Sequence, residues 1–304
     1  MTSQQGDINI ELLCSRAGVS RSGYYRFLQE KEPDTQEMDL RDRIQRLFLA
    51  HKRRYGYRRI TAQLRIDGMP VNHKRVARLM REDNLLAVQP KIFMKTTDSS
   101  HEFEVALNLA GRMTLTGVNQ LWVADITYIR LAHEFVFLAV VLDAFSRKVV
   151  GWSLGRSLKA SLAIDAVKQA IAERKPPSGL VHHSDRGVQY ACGDYVQVLR
   201  ENGITPSMSR PGNPYDNAGC ESFMRTLKRE EIHANCYRDI EHLREKVLEF
   251  IEEYYNKCRL HSALKYSSPE AFERAANTPT QDAATMRYFT PRKNADSQAN
   301  EEAA

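Results

Sequence analysis

Three acidic residues in the 304-residue chain have the types and spacing that metal-dependent phosphodiester chemistry requires. Asp125 lies within the apolar stretch WVADITYI, where a carboxylate is costly to bury unless it is paired or binds a metal ion. Asp185 follows the apolar run that leads into HHSD, and Glu221 lies beside an apolar stripe with helical spacing. Clustered carboxylates repel one another without a cation, and Mg²⁺ prefers oxygen ligands while retaining water. We therefore expect these three residues to be catalytic ligands of two Mg²⁺ ions, with Mn²⁺ as a substitute.

Each of these acids also has a structural interpretation. Asp125 on its own is consistent with an ion pair to a distant arginine, and Glu221 on its own with a surface glutamate. Three other acids compete for the same role: Asp143, Asp194 and Asp216. Asp143 is the strongest competitor, because it also ends an apolar run that predicts a strand.

Basic neighbours extend the predicted site toward DNA. Lys228 lies seven residues after Glu221, which is nearly two helical turns, so the two side chains share one helix face. A lysine in that place could bind a DNA phosphate, and the alternative is a solvated lysine. Arg186 follows Asp185 and is a second candidate for a phosphate contact, while Gly187 predicts a tight turn close to the substrate backbone.

Two histidines precede Asp185. His182 is most simply a strand residue. His183 is either a residue that orients the site by hydrogen bonding or a packed structural side chain, and the sequence leaves both interpretations open.

The elements that must position these residues follow an α/β pattern. Runs of β-branched and aromatic residues separated by polar turns predict five strands, interrupted by helices at 159–175 and 192–203. The strands are expected at 120–130, 134–145, 147–155, 179–185 and 204–209. A helix over 216–231, capped by Asp216 or Asn217, and another over 239–255 follow. This order predicts a mixed five-stranded sheet with flanking helices.

A basic helical region precedes this α/β pattern. Residues 40–91 contain fourteen Lys and Arg against four Asp and Glu, which favours a nucleic-acid partner over a merely solvated surface. Within 38–84, Asn72 is a candidate cap of a final helix whose apolar residues face inward. Two helices joined by a Gly-containing turn predict a helix-turn-helix. The expected DNA contacts are Lys74, Arg75, Arg78, Arg58 and Arg59.

Bulk properties exclude several classes of protein. The net charge is +6 with a pI near 9.0, and 42% of residues are hydrophobic, enough for a sizeable core. Five cysteines form no C-x-x-C pair, which favours a reducing cytoplasm and argues against a zinc site. The N-terminus lacks a signal-peptide pattern, and the longest apolar run is too short to span a bilayer, so we expect no membrane association.

Three stretches together resemble the catalytic core of the retroviral-integrase-like DDE transposases: WVADITYI, HSDRGVQY and NAGCESFMRTLKRE. Thirty-five residues separate Asp185 from Glu221, the spacing typical of the D-D-35-E group, and the basic residue seven positions later also matches. Residues 254–272 resemble the C-terminal signature of IS3-type insertion-sequence transposases, and 53–82 resemble the helix-turn-helix segment of that family. The resemblance covers about residues 10–273.

The resemblance implies a ribonuclease-H-like core whose first and fourth strands are neighbours, which places Asp125 beside Asp185 and leaves Asp143 a structural role. It also implies Mg²⁺-dependent cleavage at insertion-sequence ends, followed by attack of the freed 3′-hydroxyl on another phosphodiester. Asp125, Asp185 and Glu221 would bind the metal ions.

The implied partners are terminal inverted repeats and target DNA, with a homo-oligomer assembled on the DNA in the bacterial cytoplasm at the nucleoid. The chain has no sustained heptad run of the kind a leucine zipper needs, so it resembles the downstream product of a frameshifting element. An upstream OrfA-type protein, as a separate partner or a fusion, is therefore expected.

These observations predict six segments along the chain. They are a short helical segment (1–34), a helix-turn-helix domain (38–90), a linker (91–117), the catalytic core (118–235), a helical extension of the core (236–276) and a disordered tail (277–304). Two other functions compete with a transposase: a helix-turn-helix regulator with an inert α/β domain, and a ribonuclease H or junction nuclease. The acidic triad argues against the regulator, and the basic N-terminal domain argues against the nuclease.

Overall fold

A computed structural model describes residues 10–28, 35–87, 106–210, 217–277 and 286–287. The chain divides into two compact units, Met1–Leu86 and Ala87–Ala304, which are taken in turn. In the part of the chain that the structure describes, no helix is both long enough and apolar enough to cross a membrane. All five cysteines lie in this part, and each is a free thiol.

The first unit is helical, as its apolar periodicity predicts. Its helices are α1 (Ile10–Ala17), α2 (Arg21–Leu28), α3 (Thr35–Ala50), α4 (Tyr57–Ile66) and α5 (His73–Glu82). The predicted cap of α5 is confirmed, because the Asn72 side chain accepts a hydrogen bond from the Lys74 amide at 2.8 Å. Gly68, at φ +80°, lies in the turn between α4 and α5. The buried faces of α3, α4 and α5 consist of Leu40, Ile44, Phe48, Ile60, Leu64, Val76, Leu79 and Met80.

The second unit contains the predicted mixed five-stranded sheet. Its strands are β2 (Leu121–Arg130), β3 (Phe135–Asp143), β4 (Val149–Gly155), β5 (Val181–Ser184) and β6 (Thr205–Met208), and a short strand β1 (Thr114–Leu115) precedes them. The order across the sheet is β4-β3-β2-β5-β6. The strands β2, β3 and β4 are antiparallel, whereas β5 runs parallel to β2 and to β6. The expected adjacency of the first and fourth predicted strands is therefore confirmed.

Helices cover both faces of this sheet. On one face lie α6 (Ala160–Arg174), α7 (Val188–Ala191) and α8 (Gly193–Glu201), and on the other lie α9 (Ala218–Leu227) and α10 (Ile240–Leu248). Alternate residues of β2 serve the two cores: Trp122 packs in the cluster with α6, and Val123 in the cluster with α9. Gly151 of β4 permits close contact with α6, because a Cβ there would lie 2.2 Å from the Ala166 carbonyl oxygen.

Two helices continue into wider π-helical turns. A π-helical segment, Lys228–Ile232, follows α9, and a second, Glu249–Tyr255, follows α10. The chain then reaches α11 (Pro269–Asn277). Asn256 joins this C-terminal region to the sheet edge, because its amide exchanges two hydrogen bonds of 3.0 Å with the Val149 backbone. Residues 236–276 thus pack as part of the second unit.

Two predicted segment boundaries need correction. The predicted linker at 91–117 ends in folded structure, since Ala110–Arg112 form a 3₁₀ turn and Leu115 of β1 is fully buried. The predicted disordered tail includes strand β7 (Met286–Arg287), which pairs antiparallel with β1. Backbone pairing between such short, distant segments leaves no periodic signal in the sequence. Most of both segments lies outside the described residues.

Candidate active site

Asp125 lies in β2, the central strand of the sheet, and its carboxylate Oδ1 accepts a hydrogen bond from the Ile126 amide at 2.9 Å. Desolvation, together with the charges of Asp185 and Glu221, raises the pKa of Asp125 to about 8, while the Ile126 amide and Lys228 oppose the shift. The carboxylate of Asp125 therefore lies near two other acids and one lysine.

Asp185 follows β5 directly. The parallel pairing of β2 with β5 ends at Val123 and His183, and Asp125 and Asp185 each lie two residues beyond this last pair. Asp185 Oδ1 accepts a hydrogen bond from the Gly187 amide at 2.9 Å. This bond closes a tight turn, and Gly187 has an ordinary φ of −61°, so the turn does not need glycine for a positive φ. Its role is spatial, because a Cβ there would lie 3.0 Å from Asp185 Oδ1.

Glu221 is in the first turn of α9, and Asn217 fixes the start of this helix beside β2. The Asn217 amide nitrogen donates to the carbonyl of Ala124, the residue before Asp125, at 2.9 Å. Asn217 occupies the predicted cap position but makes no side-chain cap bond, and Asp216 lies outside the described residues. Asn217 therefore links the strand of Asp125 to the helix of Glu221.

Lys228 lies at the end of α9, where its ammonium group is 4.8 Å from the centre of the Tyr128 ring. Burial lowers the pKa of Lys228, and the charge of Asp125 opposes that shift. Tyr128, three residues after Asp125 on β2, was absent from the predicted site. The cation–π contact places the Lys228 ammonium group against β2, the strand that carries Asp125.

The structure thus brings the predicted acids and the lysine into one electrostatic cluster. The charges of Asp125, Asp185 and Glu221 also raise the pKa of the buried Cys220 thiol, after desolvation, so all three lie around the same point. The three acids and Lys228 are half-buried, so they remain accessible to a ligand from solvent.

A donor set of three carboxylates that repel one another fits a hard divalent cation. Within the described ranges, however, no group of three or more His, Cys, Asp or Glu side chains is arranged as a ready metal-binding group.

Asp143 has the structural role that the family resemblance implied. Its buried carboxylate accepts hydrogen bonds from the backbone amides of Asn119, Phe145 and Ser146 at 2.7, 2.9 and 3.1 Å. Burial raises the pKa of Asp143, and these amides oppose the shift. The carboxylate organises the turn after β3 and is not a neighbour of the acidic cluster. Asp194 lies in the first turn of α8.

The residues around Asp185 are mostly engaged by the protein itself. His183 lies between two hydroxyls of the β6 region, 2.8 Å from Ser207 and 3.0 Å from Ser209, so its role is structural. His182 is buried against Tyr195, with 3.0 Å between its Nε2 and the hydroxyl oxygen. Arg186 donates from Nε to the Ser209 carbonyl at 2.7 Å, which holds its side chain beside the end of β5.

In the first unit, part of the predicted DNA surface is paired with acids. Arg75 and Arg78 contact Glu37 of α3 at 3.5 and 3.1 Å, and Arg78 also contacts Glu82 at 2.8 Å. Arg41 bonds to the same acidic group, to Glu37 and Glu82. Two of the five predicted DNA-contacting residues therefore share their charge with carboxylates.

The other three predicted DNA contacts lie on α4 and α5. Arg58 stacks on Tyr57, with 5.6 Å between the guanidinium carbon and the ring centre, and Arg59 stacks on Tyr55 at the same distance. Lys74 is exposed in the first turn of α5. Aromatic rings beside arginines keep these cations close to the helix surface.

Comparison with protein families defines the class of protein. Models of the integrase core domain match residues 116–214 and 202–269, and a model of an HTH-like domain matches residues 35–93. The fold and these matches define a transposase or integrase, a polynucleotidyl transferase with a helix-turn-helix-like domain ahead of its core.

Two relatives lead from the class to a family. The chain is 38% identical over 264 residues to the "Insertion element IS600 uncharacterized 31 kDa protein" of Shigella sonnei, which covers 86% of this chain and 97% of that protein. It is 38% identical over 274 residues to "Transposase InsF for insertion sequence IS3A" of Escherichia coli (strain K12), covering 88% and 95%. The chain belongs to the IS3 family of insertion-sequence transposases.

More distant similarity extends to solved viral proteins. A chain of the simian T-cell lymphotropic virus intasome, solved in complex with PP2A regulatory subunit B56 gamma, shares 18% identity at a TM-score of 0.46, covering 74% of each chain. The catalytic core domain of BIV integrase shares 19% identity at a TM-score of 0.40, covering 52% of this chain and 95% of that one.

Proposed function

We propose that this transposase cleaves DNA at the ends of its insertion sequence and joins the freed 3′-hydroxyl to another phosphodiester, in a reaction that depends on Mg²⁺. The observation that carries the proposal is the cluster of Asp125, Asp185 and Glu221. These acids come from a strand, a strand end and a helix, and the charges of Asp185 and Glu221 disfavour ionisation of Asp125, an effect that the charge of Lys228 opposes only in part.

Asp125, Asp185 and Glu221 are the residues that would bind two Mg²⁺ ions, with Mn²⁺ as a substitute. Bound metal supplies activation of the attacking oxygen and stabilisation of the leaving oxygen. We infer that metal ions and DNA phosphate together draw the three acids into one binding group. A bound cation would offset the mutual repulsion that opposes their close approach in the free protein.

Lys228 has the role of binding a phosphate next to the acids. Its contact with Tyr128 orients the ammonium group, and partial burial strengthens its attraction for an anion. Arg186 is proposed as a second phosphate contact, held beside the end of β5 by the bond from its Nε to the Ser209 carbonyl.

The first unit is proposed to bind the terminal inverted repeats through α4 and α5. Lys74, Arg58 and Arg59 would contact the DNA backbone, and Arg75 and Arg78 would join them when phosphate competes with Glu37. Target DNA would lie on the catalytic core. The domain limits at 38–90, 118–235 and 236–276 are part of this proposal.

The assembly that acts on DNA is proposed to be a homo-oligomer, since two insertion-sequence ends must be joined to one target. An upstream OrfA-type protein, free or fused, would supply the zipper that this sequence lacks. A DNA substrate of this kind places the reaction in the bacterial cytoplasm at the nucleoid.

The test is incubation of the purified full chain with end-labelled terminal-repeat DNA and Mg²⁺ or Mn²⁺, with and without the upstream protein. We expect metal-dependent 3′-end cleavage and joined-end products, and loss of both in Asp185→Asn with DNA binding retained. Asp143→Asn is not a suitable control because it disrupts a turn, whereas Asp194→Asn on α8 is.

Cleavage without any joined product would favour a nuclease. Binding without cleavage under all of these conditions would favour a regulator, and unchanged cleavage by Asp185→Asn would refute the assignment of the site.

A further inference from the structure

A buried ion pair joins the helix of Glu221 to the C-terminal region of the chain. Arg259 binds Glu230 through two parallel bonds, from Nε to Oε2 at 2.9 Å and from a terminal nitrogen to Oε1 at 2.8 Å. Only 3% of Arg259 and 1% of Glu230 is exposed. Desolvation opposes the charge on Arg259, but the hydrogen bonds and charge of Glu230 raise its pKa above the usual value.

Further contacts complete the surroundings of this ion pair. Tyr254 donates its hydroxyl to Glu230 at 3.3 Å, and Arg229 contacts the same carboxylate at 2.5 Å. Arg259 also lies 3.5 Å from the Thr226 hydroxyl on α9. A planar guanidinium bound at two points fixes distance and orientation together, which a lysine cannot do.

The ion pair lies where the two π-helical segments meet. Glu230 belongs to the segment that continues α9, and Tyr254 to the segment that continues α10. Tyr255 packs edge-on against Phe223, two residues after Glu221, with 4.8 Å between the ring centres. π-Helical turns are frequently found at functional sites.

A continuous chain of contacts therefore runs from the sheet edge to the predicted catalytic helix. Asn256 is anchored to Val149 of β4, and three residues later Arg259 binds Glu230. Glu230 follows Lys228 by two residues on the same helical path. Because a helix is stiff, an anchor at its C-terminal end sets the height and rotation of Glu221 and Lys228 over β2.

We propose that Arg259 is a positioning residue for the strand-cleavage reaction: its bidentate pairing with Glu230 holds α9 so that Glu221 and Lys228 face Asp125 and Asp185. This inference rests on the proposed function. It assigns a role in the chemistry to the C-terminal signature at 254–272, which contains none of the residues that would contact metal or DNA.

The molecule supplies a matched control. Arg174 of α6 binds Glu273 of α11 at 2.5 Å, and both side chains are about nine-tenths buried. This second pair also ties the C-terminal region to the core, but through α6 instead of α9. A purely structural role predicts similar consequences for the two pairs, whereas a positioning role separates them.

The experiment compares Arg259→Lys and Arg174→Lys in the full chain. Single-turnover cleavage of terminal-repeat DNA is measured at saturating Mg²⁺ and DNA, well below both melting temperatures. We expect Arg259→Lys to lower the cleavage rate by about ten- to a hundredfold with little change in DNA affinity, because a misplacement of about 1 Å costs on the order of a hundredfold. Arg174→Lys is expected to stay within about twofold of the wild-type rate.

Tyr254→Phe serves as a second variant if Arg259→Lys does not fold. It removes only the hydroxyl that donates to Glu230, and we expect it to fold and to lower the rate by a few fold. Hydrogen exchange of the Ala218–Leu227 amides, measured without DNA, provides a readout that does not depend on activity. It is expected to quicken in the Arg259 and Tyr254 variants and to stay unchanged in Arg174→Lys.

Equal losses of rate in Arg259→Lys and Arg174→Lys would overturn the proposal, as would a wild-type rate in both Arg259→Lys and Tyr254→Phe. If the wild-type chain cleaves no DNA, the proposed function fails, but exchange in α9 still decides whether Arg259 orders that helix. Unchanged exchange there would refute the positioning role by itself.

Discussion

The two units of this protein use charge in opposite ways. On the helical unit, Glu37, Glu82, Arg41 and Arg78 form a surface network in which each charge has an opposite partner. In the sheet unit, Asp125, Asp185 and Glu221 lie together with one lysine, and burial and their mutual repulsion raise the pKa of Asp125 to about 8. The surface network contributes little to stability, while the acidic cluster reduces it. The difference indicates that the charges of the sheet unit are arranged to bind a ligand and not to stabilise the fold.

The largest effect is expected when the carboxylate of Asp125 is neutralised. Asp125→Asn removes the repulsion and the desolvated charge together, so we expect the melting temperature to rise by roughly 2–4 °C. Cleavage should fall by about a thousandfold or more, because a metal ligand is lost. Differential scanning calorimetry and a cleavage assay check both effects. A lower melting temperature in Asp125→Asn would show that the acidic cluster does not destabilise the folded protein.

Substitution of Lys228, beside the acids, should lower cleavage less than substitution of Asp125. Lys228→Ala is expected to lower cleavage by about ten- to a hundredfold through loss of a phosphate contact and of cationic balance. Tyr128→Leu keeps the lysine but removes the aromatic face beneath it, so we expect a smaller loss of about two- to fivefold. Single-turnover rates distinguish them. Equal effects would mean that the lysine acts only through the ring.

The buried side chain of His182, which is neutral in the folded protein, makes stability depend on pH. Burial, followed by the charge of His183, lowers the pKa of His182 to about 3, from an ordinary value of 6.5 in the unfolded chain. Below pH 6.5 the unfolded chain takes up a proton that the folded chain resists. Stability therefore falls as the pH drops from 6.5 toward 3, by up to about 1.4 kcal/mol for each pH unit.

Urea unfolding at several pH values measures this loss. His182→Gln keeps a polar partner for Tyr195 but does not titrate, so its stability should decline less steeply on acidification. Parallel slopes for the wild type and the variant would show that other groups carry the acid sensitivity.

The smallest effect is expected in the surface network. Glu37→Gln removes the carboxylate shared by Arg75 and Arg78, which then become available to phosphate. We expect DNA affinity to rise by about two- to fivefold, and the slope of log affinity against log salt to steepen by about one unit. Asp42→Asn, which removes the partner of Arg46 on the same helix, is the control. An unchanged salt slope would place the DNA elsewhere.

The architecture could be predicted because its information is local. Runs of β-branched and aromatic residues between polar turns define the five strands, and the cap at Asn72 and the stripe at Val76, Leu79 and Met80 define the last helix of the first unit. The first acidic residue was predicted from the free-energy cost of burying a carboxylate within the apolar stretch WVADITYI, which a bound metal ion would offset. Each of these signals lies within a few neighbouring residues.

The rest of the site depends on contacts between distant segments. Asn217 reaches the carbonyl before Asp125, 93 positions away in the chain, and Arg259 reaches Glu230, 29 positions away. The pairing of Arg78 with Glu37 spans 41 positions. No local period encodes such contacts, so Asn217 was predicted as a simple cap, Tyr128 was overlooked, and Arg78 was predicted as a DNA contact without its acidic partner.

The mixed direction of the strands has a consequence for how the enzyme is made. The antiparallel β2, β3 and β4 form through short connections, but β5 can pair with β2 only after a crossover through α6 has been synthesised. Slow, non-local closure therefore brings Asp185 to Asp125, and Arg259 is added later still. We expect a nascent chain emerging from the ribosome to fold β2, β3 and β4 early and to remain unable to cleave DNA until its last third has been translated.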